Sequence, residues 1–273
     1  MTGNLCGIMV LKPLNEGSFI TLEQFFREHT EAALGFSGGV DSSYLLHAGL
    51  RYGAKIKAYY VKTAFQPEFE LLDAKKFAAQ TGIELTIIAK NIFEHAQIVS
   101  NPSDRCYYCK KIIFAAIRTQ AFSDGISLVL DGTNASDDAS DRPGMKALTE
   151  LSIRSPLREC NITKDDVRRF SKEAGLFTWD KPVYACLATR IPATRTITKE
   201  LLQKIEKSED ILFSFGFTGF RVRVMGDTSN PVCAKIQLPQ KQFSSLLDER
   251  QNIVKAIKQY FPSVLLDLEE RNE

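Results

Sequence analysis

The feature that most constrains the fold of this chain is a loop rich in glycine and serine, which reads Ser-Gly-Gly-Val-Asp-Ser-Ser over residues 37–43. The apolar run over residues 32–36 that precedes it is typical of a buried strand. A helical spacing of apolar side chains follows it from Leu45. A strand that passes through such a loop into a helix predicts an α/β fold, with an anion-binding site where the helix begins.

The residue types of this loop fit the pyrophosphate part of ATP. Gly38 and Gly39 allow backbone conformations that bring amide groups close to an anion, and the helix dipole adds its positive end. Asp41 can hold Mg²⁺ or cap the helix. Three hydroxyl groups can donate hydrogen bonds: those of Ser37, Ser42 and Ser43. A turn and a helix cap would explain part of the string, but the whole string after a strand favours nucleotide binding.

Predicted strands and helices alternate through the chain as far as residue 174. Strands are expected at 32–36, 55–61, 83–89 and 127–130, and helices at 22–29, 42–52, 68–80, 107–122 and 163–174. This alternation predicts a doubly wound parallel sheet, with ligands at the carboxyl ends of its strands. Residues 177–195 lack periodicity and contain two prolines, which is typical of a functional loop or a connection between domains.

The pattern changes near residue 196. A helix at 198–215, strands at 220–225 and 232–238, a helix at 242–260 and a strand at 264–268 predict a small α+β unit. We therefore expect two domains. Residues 1–195 form an ATP-binding and catalytic domain, and residues 196–273 form a small domain for substrate binding or oligomerisation.

Composition narrows the class of protein further. The 273 residues carry a formal net charge of only +2, which does not by itself indicate a nucleic-acid binder, although a local basic groove is compatible with it. No apolar run is long enough to span a membrane and no signal-peptide pattern is present, so we expect a cytoplasmic protein. Six cysteines without an export signal favour core residues, reactive thiols or metal ligands over a disulfide framework.

Three cysteines form the second candidate site. Cys106 and Cys109 form a Cys-x-x-Cys pair at a predicted helix start, where the dipole is expected to lower the thiol pKa, and Cys186 lies in the irregular loop. Together they can ligate three irons of a [4Fe–4S] cluster and leave the fourth iron open to a ligand such as sulfide. The pair alone equally fits a redox pair, half of a zinc site or two buried thiols. The other three cysteines are expected in the core or on the surface: Cys6, Cys160 and Cys233.

Two further stretches carry polar residues at expected ligand positions. Residues 131–134, Asp-Gly-Thr-Asn, follow a strand at the edge where parallel sheets bind ligands. The acidic residues 137–144 that come next are either a solvated turn or a magnesium or substrate contact. Arg221 and Arg223 alternate along one predicted strand, so that both side chains share a face and can clamp a phosphate, unless they are simply surface arginines.

The string from Ser37 to Ser42 resembles the signature of the PP-loop ATP pyrophosphatase superfamily, which has the adenine nucleotide alpha-hydrolase-like fold. It lacks the Gly-Lys-Ser/Thr ending of a Walker loop. The resemblance implies an enzyme that splits ATP between the α and β phosphates, adenylates a substrate oxygen and releases pyrophosphate. A sulfur or nitrogen nucleophile then displaces AMP.

Four other stretches resemble the LarE family of ATP-dependent sulfur transferases within this superfamily: residues 106–111, 131–134 with 141–144, 186–192 and 220–223. This resemblance implies a carboxylated pyridinium mononucleotide as substrate, whose carboxylates become thiocarboxylates during nickel-pincer cofactor biosynthesis. In some members the cysteine at the position of Cys186 gives up its own sulfur and becomes dehydroalanine. Members with three cysteines resemble cluster enzymes in which an iron-bound sulfide is the donor, and this chain has all three.

The resemblance also implies roles for individual residues. The loop residues Ser37, Gly38, Gly39, Asp41, Ser42 and Ser43 would hold the ATP phosphates and Mg²⁺. Lys110 and Arg190 would neutralise negative charge near the reacting centre, and Arg221 and Arg223 would bind the substrate phosphate. A homo-oligomer is expected on the same ground. Gln237 and Ser245 stand where acidic residues are expected, which leaves the contacts of the small domain with substrate or metal open.

Three other functions share part of this pattern. A tRNA thiolase uses the same loop chemistry, sometimes with three cysteines, but needs a basic surface and often an added RNA-binding or zinc domain. An amide-forming synthetase that uses ammonia would leave the paired cysteines unexplained and should bring a glutaminase. A non-catalytic AMP or ATP sensor would keep only the fold, and the intact Ser37, Asp41 and Ser42 argue against it.

Overall fold

The computed structural model describes residues 20–137, 142–193, 195–226 and 232–271, with the side chain of Arg142 excepted. Cys6 and residues 138–141 of the predicted acidic loop therefore lie outside the described residues. Within them, no helix is both long enough and apolar enough to cross a membrane.

A four-stranded parallel sheet forms the centre of the first part of the chain. Its strands are β1 (Glu31–Gly35), β2 (Lys55–Lys62), β3 (Leu85–Ala89) and β4 (Val129–Leu130), in the order β3-β2-β1-β4. Leu34 of β1 lies opposite Ala58 of β2 and Leu130 of β4, and all three side chains are buried. The strand order and the parallel pairing confirm the predicted doubly wound sheet. Each connection brings the chain back to the end of the sheet where the strands begin, so that all strands run in the same direction.

Eight helices of the described chain belong to this part. They are α1 (Leu22–Glu28), α2 (Val40–Arg51), α3 (Glu68–Thr81), α4 (Ala96–Val99), α5 (Arg105–Ser123), α6 (Arg142–Glu150), α7 (Pro156–Glu159) and α8 (Lys164–Glu173). Helix α8 begins with the predicted capping box, in which Thr163 and Asp166 satisfy each other's backbone amides. Helix α3 ends at Gly82, whose φ of +69° lies in the left-handed region that favours glycine.

A second, three-stranded sheet follows helix α9 (Lys199–Ser214). Its strands β5 (Arg221–Met225), β6 (Cys233–Gln237) and β7 (Val264–Leu266) lie in that order, antiparallel between β5 and β6 and parallel between β6 and β7. Helices α10 (Phe243–Asp248) and α11 (Arg250–Ile257) stand between β6 and β7. These elements confirm the small α+β unit.

The single helix predicted over residues 242–260 is wrong, because the structure breaks it at Glu249. This residue ends α10 and precedes α11, with a ψ of 4° that departs from the helical value. The break leaves the apolar spacing intact: Leu246, Ile253 and Ile257 are all buried on one side. Periodicity alone therefore cannot reveal it.

Two apolar clusters cover the faces of the parallel sheet. One includes Leu34 with residues of α1, α2 and α3, and the other includes Tyr59 with residues of α5. A third cluster joins Leu187 and Ile191, beside Cys186, to Leu201 of α9 and Val222 of β5. The Cys186 segment thus shares a core with the second sheet, and a domain boundary at residue 195 stays a prediction.

Candidate active site

The glycine-rich loop leaves the carboxyl end of β1 and is closed by hydrogen bonds between its own residues. The Ser37 amide donates to Ser42 Oγ over 3.3 Å, the two hydroxyl oxygens are 3.1 Å apart, and the Gly39 amide donates to Ser37 Oγ over 3.3 Å. Gly39 is the N-cap of α2. Of the two roles expected for Asp41, helix capping is therefore wrong, since Asp41 lies in the first turn.

Two glycines allow other segments to approach this loop closely. Gly38 has a φ of +73°, and a Cβ added there would lie 3.0 Å from the backbone nitrogen of Ala74 in α3. Gly132, just after β4, would place a Cβ 3.0 Å from the backbone nitrogen of Ser42. Since most real Cβ contacts are wider, a side chain at either position would push the neighbouring backbone away, and the positive φ of Gly38 adds strain for any other residue. The loop is thus enclosed by α3 on one side and by the end of β4 on the other.

Asp41 already has two partners in this structure. Its Oδ2 lies 2.5 Å from the ammonium of Lys164, and its Oδ1 accepts a hydrogen bond of 3.1 Å from Asn134. Asn134 belongs to the predicted ligand edge after β4. Sequence reasoning missed Lys164, because its position after Thr163 identifies only a helix start. A carboxylate is a donor that suits Mg²⁺, so Asp41 fits that ion by type, provided that Lys164 gives way.

Lys181 is a second cation at the loop that sequence reasoning missed. Its ammonium donates to the Gly38 carbonyl over 3.3 Å and pairs with Asp73 of α3 at 2.6 Å. It belongs to residues 177–195, which were expected to form a functional loop. Nearby, burial raises the pKa of Glu70 to about 7, although the charges of Lys181, Arg190 and Lys62 oppose the shift.

Lys110 and the strand end at Asp131 lie near each other. Burial raises the pKa of Asp131, while hydrogen bonds from Ser155 and Thr133 and the positive charge of Lys110 lower it. The ammonium of Lys110 thus acts on the edge where Gly132 meets the loop. The structure brings together the predicted Lys110 and the predicted residues 131–134.

The three predicted cysteines come from two segments and influence one another. Burial, followed by the negative charge of Cys186, raises the pKa of Cys109 to about 12, and Cys106 adds to this shift. Burial also raises the pKa of Cys186, again with a contribution from Cys106. The expected lowering of the thiol pKa is wrong for Cys109, because burial raises this pKa.

Arg105, the first residue of α5, is a buried cation beside these thiols. Its guanidinium donates to the side chain of Asn101 and, over 3.3 Å, to the carbonyl of Ala188. Its Nε has no partner, and no carboxylate of the described residues pairs with it. The positive charge lowers the pKa of both Cys109 and Cys186. Sequence reasoning missed this residue, since nothing in the pattern marks it as buried.

The donor types of the thiol site fit an iron–sulfur cluster, whose usual ligands are cysteine thiolates. Within residues 20–137, 142–193, 195–226 and 232–271, however, no three histidine, cysteine, aspartate or glutamate side chains are grouped so that they could hold a metal ion. The cluster therefore stays a prediction. It is supported by the mutual effect of the three cysteines on their pKa values, which requires the sulfur atoms to lie near one another.

Arg190 is almost fully buried and is held by protein groups. It pairs with Glu209 of α9 at 2.8 Å and donates to the carbonyl of Ala185 and the hydroxyl of Thr189, each over 2.9 Å. Glu209 also accepts from the amide of Val222. Arg190 thus connects the Cys186 segment to the second sheet, while its charge lowers the pKa of Cys186. These contacts show a structural role for Arg190, and its predicted role in the reaction stays a prediction.

Arg221 and Arg223 are half-buried on the same face of β5, as their alternation predicts. Arg223 donates to Gln237 over 2.5 Å and to the carbonyl of Thr189 over 3.0 Å. Burial, with the charges of Arg271, Arg190 and Arg223, lowers the pKa of Arg221 to about 10. In the described part of the chain, Arg221 has no carboxylate partner. The face is therefore rich in positive charge and suits an anion.

Comparison with known proteins places this geometry in a family. No protein-family model matches the chain. An uncharacterised protein of Synechocystis sp. is 35% identical over 260 residues, which cover 93% of this chain and 94% of that protein. Pyridinium-3,5-bisthiocarboxylic acid mononucleotide synthase of Lactiplantibacillus plantarum, a LarE-type enzyme, is 28% identical over 251 residues, 91% of this chain and 89% of that protein. This chain belongs to the LarE family of the PP-loop superfamily.

A more distant relative shares only part of the chain. The tRNA-specific 2-thiouridylase of Thermotoga petrophila is 23% identical over 188 residues, 54% of this chain and 52% of that protein. The LarE-type match instead extends over most of both proteins. The parallel sheet agrees with membership of the PP-loop superfamily. The LarE-type match supports both the family and the superfamily, whereas the thiouridylase match supports the superfamily alone.

The two departures from the LarE pattern have different surroundings. The side chain of Gln237 accepts a hydrogen bond from Arg223 and donates one to Asp267 over 2.7 Å. It therefore connects one of the two arginines on the face of β5 to a carboxylate. Asp267 also pairs with Lys235 at 2.8 Å. Ser245 is exposed on α10. Gln237 therefore contacts Arg223 of the candidate site, and a carboxylate, that of Asp267, lies one hydrogen bond away from it.

Proposed function

We propose that this protein is an ATP-dependent sulfur transferase that converts a carboxylate of a small nucleotide-like molecule into a thiocarboxylate. One observation carries the proposal: a single segment connects the phosphate loop to the thiols. Lys181 contacts the Gly38 carbonyl, and Cys186, which interacts with Cys109, follows five residues later. Five residues span at most about 18 Å, so a nucleotide on the loop and a sulfur at Cys186 lie within one substrate's reach.

The first half-reaction uses the loop. Backbone amides and the positive end of α2 bind the phosphates, with the hydroxyls of Ser37 and Ser42 beside them. A substrate carboxylate oxygen attacks the α-phosphorus, the bond to the bridging oxygen breaks, and pyrophosphate leaves with that electron pair. The product is an acyl adenylate. Activation is needed because a carboxylate oxygen is a poor leaving group, whereas AMP is a good one.

The second half-reaction uses the thiol site, where Cys106, Cys109 and Cys186 would hold the cluster. When bound through three cysteines, a [4Fe–4S] cluster supplies an iron that no protein residue ligates and that is open to sulfide. A hydrosulfide ion at this site attacks the acyl carbon and forms a C–S bond. The bond between that carbon and the phosphate oxygen breaks, AMP leaves with the electron pair, and the sulfur loses its proton to solvent. Arg105 supports this step because its buried charge favours the anionic forms of the thiols and of the sulfur donor.

The substrate end of the site is the arginine face of β5. Arg221, with Arg223 and Arg271 nearby, provides the positive charge that the phosphate of a mononucleotide needs. The Lactiplantibacillus plantarum relative is a pyridinium-3,5-bisthiocarboxylic acid mononucleotide synthase, which makes a pyridinium carboxylate mononucleotide the first candidate substrate. Nickel-pincer cofactor biosynthesis is the corresponding role.

A tRNA thiolase is the second candidate, favoured by the partial match to the thiouridylase. The two are separated by measuring pyrophosphate release from ATP with pyridinium carboxylate mononucleotides or with bulk tRNA. We expect release to depend on the mononucleotide, and bulk tRNA to bind weakly even at low salt, where phosphate contacts are strongest. Release that depends on tRNA alone would refute the proposed substrate class.

A further inference from the structure

The ion pair between Lys164 and Asp41 joins helices α8 and α2 beside the glycine-rich loop. The two atoms lie 2.5 Å apart, each side chain being about one quarter exposed. Helices α2 and α8, which carry these residues, also pack through Tyr44 and Phe170, whose rings stack with centroids 5.6 Å apart. Because apolar packing already joins the helices, the charged pair is available for another role.

The backbone of Lys164 is fixed, while its side chain can move. Thr163 and Asp166 cap the helix, and the Lys164 amide donates to the hydroxyl of Ser136 over 3.0 Å. The neighbouring Ala135 amide donates to the Ile162 carbonyl over 2.8 Å. A lysine ammonium on a four-carbon stem can therefore change partners without any movement of the helix.

Magnesium and Lys164 compete for the same oxygen. Both oxygens of Asp41 have partners in this structure, Lys164 on one and Asn134 on the other. A Mg²⁺ ion that takes Oδ2 of Asp41 competes with the ammonium of Lys164 for that oxygen and repels its charge. Because the backbone of Lys164 is fixed beside the loop, a displaced ammonium stays close enough to reach a phosphate bound there.

We propose that Lys164 is a phosphate-binding residue of this site. In the nucleotide-free protein its ammonium neutralises Asp41. When Mg²⁺ and ATP bind, the ammonium moves from Asp41 to the β and γ phosphates. As the bond from the α-phosphorus to the bridging oxygen breaks, the electron pair stays on the pyrophosphate, and Lys164 neutralises part of that charge. The inference rests on the proposed use of ATP and adds a residue that delivers charge to the leaving group.

The test is a binding titration of the cluster-free full-length protein with MgATP and with magnesium pyrophosphate, followed by calorimetry. We expect Lys164→Met to weaken binding of both ligands by about tenfold, since one phosphate contact is lost. Lys164→Arg should restore most of the affinity. The matched control is Lys172→Met, which removes an exposed lysine at the other end of α8 and should leave binding unchanged.

The Asp41→Asn background separates a phosphate contact from support of Asp41. If Lys164 acts on the phosphates, Lys164→Met still costs about tenfold in pyrophosphate affinity in that background. If Lys164 only holds Asp41, it costs nothing there, and the inference is wrong. Wild-type protein that binds no MgATP would overturn the proposed function as well, whereas equal binding by wild type and Lys164→Met would overturn this inference alone.

Discussion

The phosphate loop and the thiol site differ in how far the protein alone completes them. The loop is closed by its own hydrogen bonds through Ser37 and Ser42 and is enclosed by segments that meet it at Gly38 and Gly132. The thiol site has two half-buried cysteines, Cys109 and Cys186, whose pKa is raised by burial, and a cation, Arg105, without a carboxylate partner among the described residues. A preformed loop binds with little loss of conformational freedom, while the thiol site gains stability from what it binds.

The positive charges show the same difference. At the loop, Lys164 pairs with Asp41 and Lys181 pairs with Asp73. At the thiols, Arg105 is buried without such a partner in the described residues. A buried charge without a counter-ion is costly, so we expect the thiol site to bind an anionic group. This difference leads to four predictions, from the largest effect to the smallest.

Loss of the central thiol should separate the two sites. Cys186→Ala should lower sulfur transfer by at least about a thousandfold, because a ligand or donor of the reacting sulfur is gone. MgATP binding should change less than about twofold, since the loop is complete without the thiols. Mass spectrometry of the product and calorimetry of ATP binding measure the two effects. The control is Cys160→Ala, and equal transfer by both variants would contradict the division of labour.

Loss of the ion pair that joins the Cys186 segment to α9 should lower the free energy of unfolding more than the other changes considered. Glu209→Ala leaves the buried Arg190 without its carboxylate and should lower the free energy of unfolding by about 3–5 kcal/mol. Asp210→Ala, next along α9, removes an exposed pair with Lys207 and should cost less than about 1 kcal/mol. Denaturant unfolding measures both, and similar costs would show that the buried pair does not hold the segment.

Glu70, whose charge interacts with those of Lys181 and Arg190, should make stability depend on pH. Its pKa rises from 4.5 to about 7 on folding, so the folded state binds the proton more tightly than the unfolded state. This contribution is complete below about pH 4.5 and is lost as the pH rises through about 7, an effect of up to about 3 kcal/mol. Glu70→Gln should remove the decline and exceed the wild type in stability at pH 8. A lower stability of the variant at that pH would refute this explanation.

The two glycines Gly38 and Gly53 test whether the loop is enclosed as described. Both have a positive φ, but only at Gly38 does an added Cβ meet a neighbour, the backbone of Ala74, while nothing lies within 4 Å at Gly53. Gly53→Ala should cost about 1–2 kcal/mol from the backbone alone. Gly38→Ala should cost about 1 kcal/mol more and weaken ATP binding about tenfold. Thermal unfolding measures the stability of both variants, and ATP titration measures their affinity. If Gly38→Ala and Gly53→Ala have the same stability and the same ATP affinity, the close contact at Gly38 is contradicted.

Contiguous features were predictable from the sequence, whereas features that depend on distant contacts were not. The loop around Gly38 and the cap at Thr163 are local, and the structure has both. Lys164 and Lys181 reach the loop from 123 and 143 residues away, so that no local pattern marks them. The pKa of Cys109 was predicted in the wrong direction because burial depends on segments remote in sequence. The helix break at Glu249 leaves the apolar spacing unchanged.

The central claim is that ATP bound on the loop drives sulfur transfer at the three cysteines, and isotope-labelled sulfide tests it most directly. The cluster-reconstituted protein is incubated without oxygen with ATP, labelled sulfide and a pyridinium carboxylate mononucleotide. We predict a labelled thiocarboxylate by mass spectrometry, with one AMP and one pyrophosphate for each sulfur, and none from Cys186→Ala. Labelled product that forms equally without ATP, or equally with Cys186→Ala, would contradict the claim.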